Sequence, residues 1–128
     1  MANNTVLVVD DAATVRLYHG SILRQAGYGV QEAVNGYEGL EAALADRFAL
    51  LVVDVNMPVL DGYSLVEAVR RQGPNQDTPI MMVSTESSSS DAARGYAVGA
   101  NLYLTKPVAA QQLALMASML VGSVQVQA

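Results

Sequence analysis

Two kinds of run alternate along this chain. TVLVVD (residues 5–10), ALLVVD (49–54) and PIMMVS (79–84) are almost unbroken apolar stretches. Their length and composition are those of strands covered on both faces, as in a parallel sheet. YGVQEA (28–33) and NLYLT (101–105) have strand length but mix polar with apolar positions, so the first three are expected to be central. Between the strands the apolar positions follow helical periods. Val15, Tyr18, Ile22 and Ala26 share one face, Leu40 and Leu44 a second, Leu65, Val66 and Val69 a third, and Leu113, Met116, Ala117 and Leu120 a fourth. Gly27, Gly73 and Gly99 stand where helices should stop, and Asn35-Gly36 marks a turn into one.

Five βα units thus fill the chain, and right-handed crossovers make them one α/β sheet with helices on both faces. A short tail, GSVQVQA (122–128), either extends the last helix or frays. The weakest helical pattern is SSSSDAARGYAVGA (87–100), which opens on serines and carries Gly95 inside. A glycine there costs ~1 kcal/mol relative to alanine, placing this helix at the low-stability end of the fold.

Composition narrows the function classes. A chain of 128 residues suits one compact domain over 1–128, with no separate output domain. Apolar residues make up 52% and charged residues 15%, the profile of an ordinary folded core. The absence of cysteine excludes disulfides, thiolate metal sites and thiol redox chemistry. No signal-like start and no run near the ~20 apolar residues of a membrane span is present, so a cytoplasmic location is expected. A net charge of −5 with no Lys/Arg cluster argues against direct nucleic-acid binding, most of whose affinity comes from phosphate neutralisation.

In open α/β sheets, ligands bind beyond the carboxyl ends of the strands. There the sequence places Asp10 and Asp11, then Asp54, then Ser84 and Thr85, and finally Lys106. Singly, each has a modest explanation. Asp11, Asp61, Ser84 or Thr85 could cap a helix, and Lys106 before Pro107 could be a solvated loop residue. Jointly they say more, because three carboxylates at adjacent strand ends repel unless a cation lies among them. Carboxylates and waters suit Mg2+, which keeps positions open for phosphate oxygens, and a lysine adds a second positive charge for the same phosphate.

The blocks VVDD (8–11), DVNMPVLDG (54–62), VSTE (83–86), GAN (99–101) and YLTKP (103–107), in this order, resemble the receiver domain of two-component response regulators, most nearly the single-domain chemotaxis type, CheY. The resemblance covers essentially the whole chain. It implies a flavodoxin-like (βα)5 doubly wound parallel sheet of strand order 2-1-3-4-5. It further implies that Asp54 is the phosphoacceptor, attacking the phosphohistidine of a histidine kinase to form an acyl phosphate. Asp10, Asp11, Asp54 and the backbone carbonyl of Asn56 would be Mg2+ ligands, Asp10 through a water. Lys106 would pair with Asp54 and then with the phosphoryl oxygens, Ser84 would supply the switch hydroxyl, and Tyr103 the aromatic that swings inward behind it. Asn56 and Glu86 would flank the attacking water in hydrolysis, and Lys106-Pro107 matches a bond often cis in the family. Val108 stands where an aromatic often follows that pair.

The expected function is a phosphorylation-activated switch that catalyses only its own phosphotransfer and dephosphorylation. It would bind a downstream protein such as a flagellar motor switch, be served by a phosphatase, and act as a monomer. A phosphorelay shuttle, a phosphate sink or a pilus-motility regulator is the alternative. An aspartyl phosphatase is disfavoured, because Asn56 stands where that class places a second acid. His19, with no second His or Cys nearby, is expected at the surface, and Met57 and Pro58 only shape the loop after Asp54.

Overall fold

The computed structural model describes residues 4–126. Five strands, β1 (Thr5–Val9), β2 (Gly29–Ala33), β3 (Leu50–Asp54), β4 (Ile80–Ser84) and β5 (Leu102–Thr105), alternate with five helices. The helices are α1 (Ala13–Gln25), α2 (Gly36–Ala45), α3 (Gly62–Arg71), α4 (Ser89–Val98) and α5 (Ala110–Val126). All strand pairs are parallel, in the order β2-β1-β3-β4-β5. As the apolar runs require, β1, β3 and β4 are central and buried, while β2 and β5 form half-buried edges.

Period-two alternation along the strands divides the core between the two faces of the sheet. Leu7, Val9, Leu51, Val53, Ile80 and Met82 pack with Leu65, Val66 and Val69 of α3 and Ala43 of α2. Val6, Val8, Leu50, Val52, Met81 and Val83 pack with Ile22 and Leu23 of α1 and Leu113, Ala117 and Val121 of α5. The expected faces of α3 and α5 are the buried ones, and α5 continues through Val126, so the tail extends that helix; residues 127 and 128 lie outside the described residues.

Two helices depart from the expected stripes. On α1 the buried residues are His19, Gly20, Ile22 and Leu23, and Tyr18 and Ala26 are exposed. On α2 they are Gly36, Gly39 and Ala43, with Leu40 half-buried and Leu44 exposed. The reason on α2 is close approach to the sheet. A Cβ at position 39 would lie 2.8 Å from Val9 Cγ1, so small residues, not leucines, face β1.

Caps set the helix starts. Asn35 accepts a hydrogen bond from the Glu38 backbone N–H at 2.7 Å, and Glu38 Oε1 accepts one from Val34 N–H at 3.1 Å. Asp61 caps α3 by accepting from Ser64 N–H, and Ser88 caps α4 by accepting from Asp91 N–H. Among the described residues, no helix is long and apolar enough to cross a membrane.

Candidate functional site

The site grows out of four strand ends. Asp10 follows β1, Asp54 closes β3, Ser84 closes β4, and Lys106 follows β5. The parallel register brings these ends level, with Asp54 opposite Val83 and Ser84 opposite Thr105. Backbone hydrogen bonds continue past the strands, from Val55 N–H to Val83 O at 3.1 Å and from Lys106 N–H to Ser84 O at 2.7 Å. The loop after β3 turns back at once, and Gly62 N–H donates to Val55 O at 2.9 Å. A Cβ at position 62 would fall 2.3 Å from Asp54 O, so only glycine allows the turn that holds Asp54 at the tip.

Ligand oxygens of Asp10, Asp11 and Asp54 all lie within 4.8 Å of one another. Asp10 and Asp54 are buried, whereas Asp11 is exposed. Lys106 Nζ lies 2.9 Å from Asp10 Oδ2 and 2.9 Å from Asp54 Oδ1. With its side chain 13% exposed, Lys106 is no solvated loop residue. Asp11 is not a helix cap either: the N-cap of α1 is Ala12, which makes no side-chain cap, and the Ala12 N–H donates to Asp10 Oδ1 at 2.9 Å.

Burial pushes the Asp54 carboxyl up to about 6, with hydrogen bonding from Lys106 opposing it and Asp10 adding to it. Burial pulls the Lys106 ammonium down, but hydrogen bonds and charge from Asp54 and Asp10 outweigh that, so its net shift is upward. Three carboxylates cluster beside one ammonium, which bonds two of them, so the centre has surplus negative charge and hard oxygen donors. That donor set fits a small divalent cation.

The remaining expected residues surround this centre. Ser84 is fully buried; its hydroxyl accepts from Glu86 N–H at 2.9 Å and from Asn56 Nδ2 at 3.5 Å. Thr85 is exposed and lines a different cavity, beside α1, so neither hydroxyl caps α4. Asn56 and Glu86 are both exposed. Tyr103 packs its ring against the core, and its hydroxyl donates to Glu86 O at 2.9 Å. The Lys106-Pro107 peptide is cis.

Two residues near the centre escaped the sequence reading. Arg16 donates to the Asp10 backbone carbonyl at 2.8 Å and to Glu32 Oε1 at 3.0 Å, fixing the end of β1. No local pattern distinguishes it from any other helical arginine. His19 is not at the surface but 2% exposed. Its spacing from Val15, Ile22 and Leu23 places it on the inner face of α1, a signal that the choice of Tyr18 for that face obscured.

Residues 6–118 match the family model of the response regulator receiver domain. The chain belongs to that family. PrrA, a transcriptional regulatory protein of Mycobacterium tuberculosis, is 42% identical over 108 residues, 84% of this chain and 46% of PrrA. The chain thus spans about half the length of such a relative. Protein PilG of Pseudomonas aeruginosa is 35% identical over 109 residues, 84% of this chain and 80% of PilG. The chemotaxis response regulator CheY4 of Vibrio cholerae superimposes with a TM-score of 0.87 at 39% identity, covering 93% of this chain and 99% of CheY4. The receiver domain is a signalling module of two-component systems, and its strand order is the one found here.

Proposed function

We propose that this receiver domain is a switch thrown by phosphorylation of Asp54, and that its phosphorylated form engages a protein of a motility pathway. The observation that carries the reading is Lys106, whose ammonium bridges Asp10 and Asp54 at 2.9 Å each while Asp11 completes the acidic cluster. In the transfer, an Asp54 carboxylate oxygen attacks the phosphorus of a kinase phosphohistidine. The P–N bond breaks, and the leaving ring nitrogen takes the electron pair and a proton. Asp10, Asp11, Asp54 and the backbone carbonyl of Asn56 would hold Mg2+, which when bound offsets charge on the phosphoryl oxygens.

This chain's own groups do the rest. Lys106 is placed to move from Asp54 to the new phosphoryl oxygens, and the buried Ser84 hydroxyl is the donor near them. The same hydroxyl accepts from Glu86 N–H, which links the site to the loop that also carries the Tyr103 contact. Asn56 and Glu86 flank the water that later hydrolyses the acyl phosphate. The target surface is α4, β5 and α5, where Tyr96, Leu115 and Met119 are exposed.

The likeness to the chemotaxis response regulator CheY4 and the acidic net charge, which suits a protein target, support a motility role over direct DNA control. A second reading, a receiver governing a transcriptional output, is favoured by the 42% identity to PrrA. An Asp54→Asn allele separates them: it would alter motility under the first, and transcript levels with intact motility under the second.

The chemistry is tested by intact mass over time with Mg2+ and acetyl phosphate, beside Asp54→Asn and a chelated sample. One phosphoryl group is expected on the wild type with metal alone, followed by spontaneous loss. Absence of an adduct in every sample overturns the reading.

A further inference from the structure

Two of the three clustered carboxylates sit on a short loop, in which Asp10, Asp11 and Ala12 join β1 to α1. Asp10 is held on several sides. Its N–H donates to Ala33 O at 3.2 Å, its Oδ1 accepts from Ala12 N–H at 2.9 Å, and its Oδ2 accepts from Lys106 Nζ at 2.9 Å. Asp11 is exposed, and its carboxylate makes none of these side-chain bonds. It nonetheless lies within 4.8 Å of the carboxylates of Asp10 and Asp54, so its direction is set by the backbone that leads into it.

Arg16 tethers that backbone. The peptide between Asp10 and Asp11 is fixed through the Asp10 carbonyl, which accepts from Arg16 Nη1 at 2.8 Å. Among the described residues no backbone N–H donates to that carbonyl, and no side-chain cap at Ala12 steadies the turn from the helix side. Arg16 is itself locked. Its Nε donates to Glu32 Oε1 at 3.0 Å, while Arg24 Nη2 holds the other Glu32 oxygen at 3.2 Å. The Arg16 side chain is 13% exposed and that of Arg24 49%, so the inner arginine is enclosed with the loop and the outer one is a surface group. A guanidinium presents its donors in a rigid fork, which lets one side chain span a carbonyl and a carboxylate in fixed geometry. Glu32 lies in β2 opposite Val8, so the fork ties the loop to the sheet as well as to α1.

Resting on the reading that the acidic centre takes Mg2+, we infer that Arg16 is a positioning residue of that centre. By holding the Asp10 carbonyl to β2 it orients the Asp10–Asp11 peptide, and so keeps the Asp11 carboxylate in the cluster where the ion would bind. Charge and position predict opposite signs here. Arg16 is a cation beside a cation site, so by charge alone its removal would tighten Mg2+. By position its removal loosens Mg2+, because groups that orient metal ligands carry about 10–100-fold in affinity.

The test is a Mg2+ titration of the unphosphorylated protein followed by backbone amide NMR, with saturable shifts expected at residues 10, 11 and 54 of the wild type. Arg16→Gln should weaken Mg2+ by about tenfold or more. Arg16→Lys, which keeps the charge but cannot span both acceptors, should weaken it by a smaller factor. Arg24→Gln, which strips the outer partner from Glu32 and leaves the bond to Asp10 O, should stay within about twofold of the wild type. A further measurement needs no variant to fold: the bonded Arg16 Nε–H should exchange with water more slowly than that of Arg24. Mg2+ binding that is unchanged or tighter in a folded Arg16 variant overturns the inference and leaves the metal reading intact. So does a loss in Arg24→Gln equal to that in Arg16→Gln, or an Arg16 Nε–H that exchanges as fast as that of Arg24. No saturable shift in the wild type overturns the metal reading itself, and the inference with it.

Discussion

Lys106 holds two buried carboxylates together, and removing one partner of a buried ion pair costs far more than the pair contributes. Lys106→Ala should therefore lower unfolding free energy by about 3 kcal/mol, read from urea titrations without Mg2+. Adding Asp54→Asn to it should restore a good part of that loss, since one uncompensated charge is gone; an equal or larger loss in the double variant contradicts the account. Val59 presents a different local stress. It is 86% exposed with φ 70°, and Leu60 N–H donates to Pro58 O at 2.8 Å across it, which describes a strained γ-turn. A β-branched side chain is poorly suited to that region. Val59→Gly should raise stability by about 1 kcal/mol, because the turn needs no side-chain contact that glycine lacks. His19 sets a pH dependence. Its folded-state proton affinity is lowered by burial, so the unfolded chain takes up the proton first as pH falls below about 6.5. Stability from this residue is complete above that pH and is lost below it. A plot of unfolding free energy against pH should fall less steeply below 6.5 for His19→Leu than for the wild type.

The fourth helix shows how a weak local pattern becomes a packing device. Gly95 is the one buried residue of α4, and a Cβ there would lie 2.9 Å from Tyr103 Cδ2 and 3.3 Å from Met82 Sδ. The glycine therefore serves to admit the Tyr103 ring, and its cost in helix propensity accompanies that fit. The rest of α4 is held from its edges: Tyr63 donates to Asp91 O at 3.1 Å, and the Arg94 guanidinium sits 4.1 Å from the Tyr63 ring centroid. Hydrogen exchange should be faster in α4 than in α3, which buries five of its ten residues. Gly95→Ala gains about 1 kcal/mol of helix propensity, yet it should displace Tyr103 and weaken its bond to Glu86 O. The expected result is altered Tyr103 ring resonances with little change in stability. Unmoved resonances together with a gain of the full propensity would show that the ring has another place to go.

Across the molecule, the ends of β1, β3 and β5 gather one ammonium and three carboxylates into a centre whose charges do not balance. The excess should be visible in stability. Asp11 is exposed and makes no helix cap, so Asp11→Asn should leave the metal-free fold equal or slightly more stable, by under about 1 kcal/mol. It should also remove most of the stabilisation that millimolar Mg2+ confers on the wild type. Thermal melts with and without Mg2+ measure both. A destabilised metal-free variant would return Asp11 to a structural role.

Much of this arrangement was legible in one dimension. Apolar runs of strand length, helical periods, and Gly or Asn at the boundaries are local signals, and burial of a parallel sheet on both faces makes the runs continuous. The order of elements, the central place of β1, β3 and β4, and the acidic residues at the strand ends follow from them. Where small residues replaced large ones at a close contact, as on α2, or where a polar residue occupied an inner position, as His19 on α1, the pattern pointed to the wrong face. Hydropathy scores a side chain, whereas burial depends on the distance to the neighbouring element.

The remainder depended on contacts between distant parts of the chain. Lys106 meets Asp10 across 96 positions and Asp54 across 52, and no local period encodes such a meeting. That Ser84 is buried beside Asn56 while Thr85 is exposed and lines the cavity beside α1 follows from the alternation of side chains at the end of β4. That Gly95 makes room for Tyr103, and that His19 is left with an unpartnered nitrogen beside a cavity, follows from how helices settle on the sheet. Local chemistry determined which elements form and what their ends carry; packing among them determined which charges meet, which hydroxyl faces the site, and where space remains.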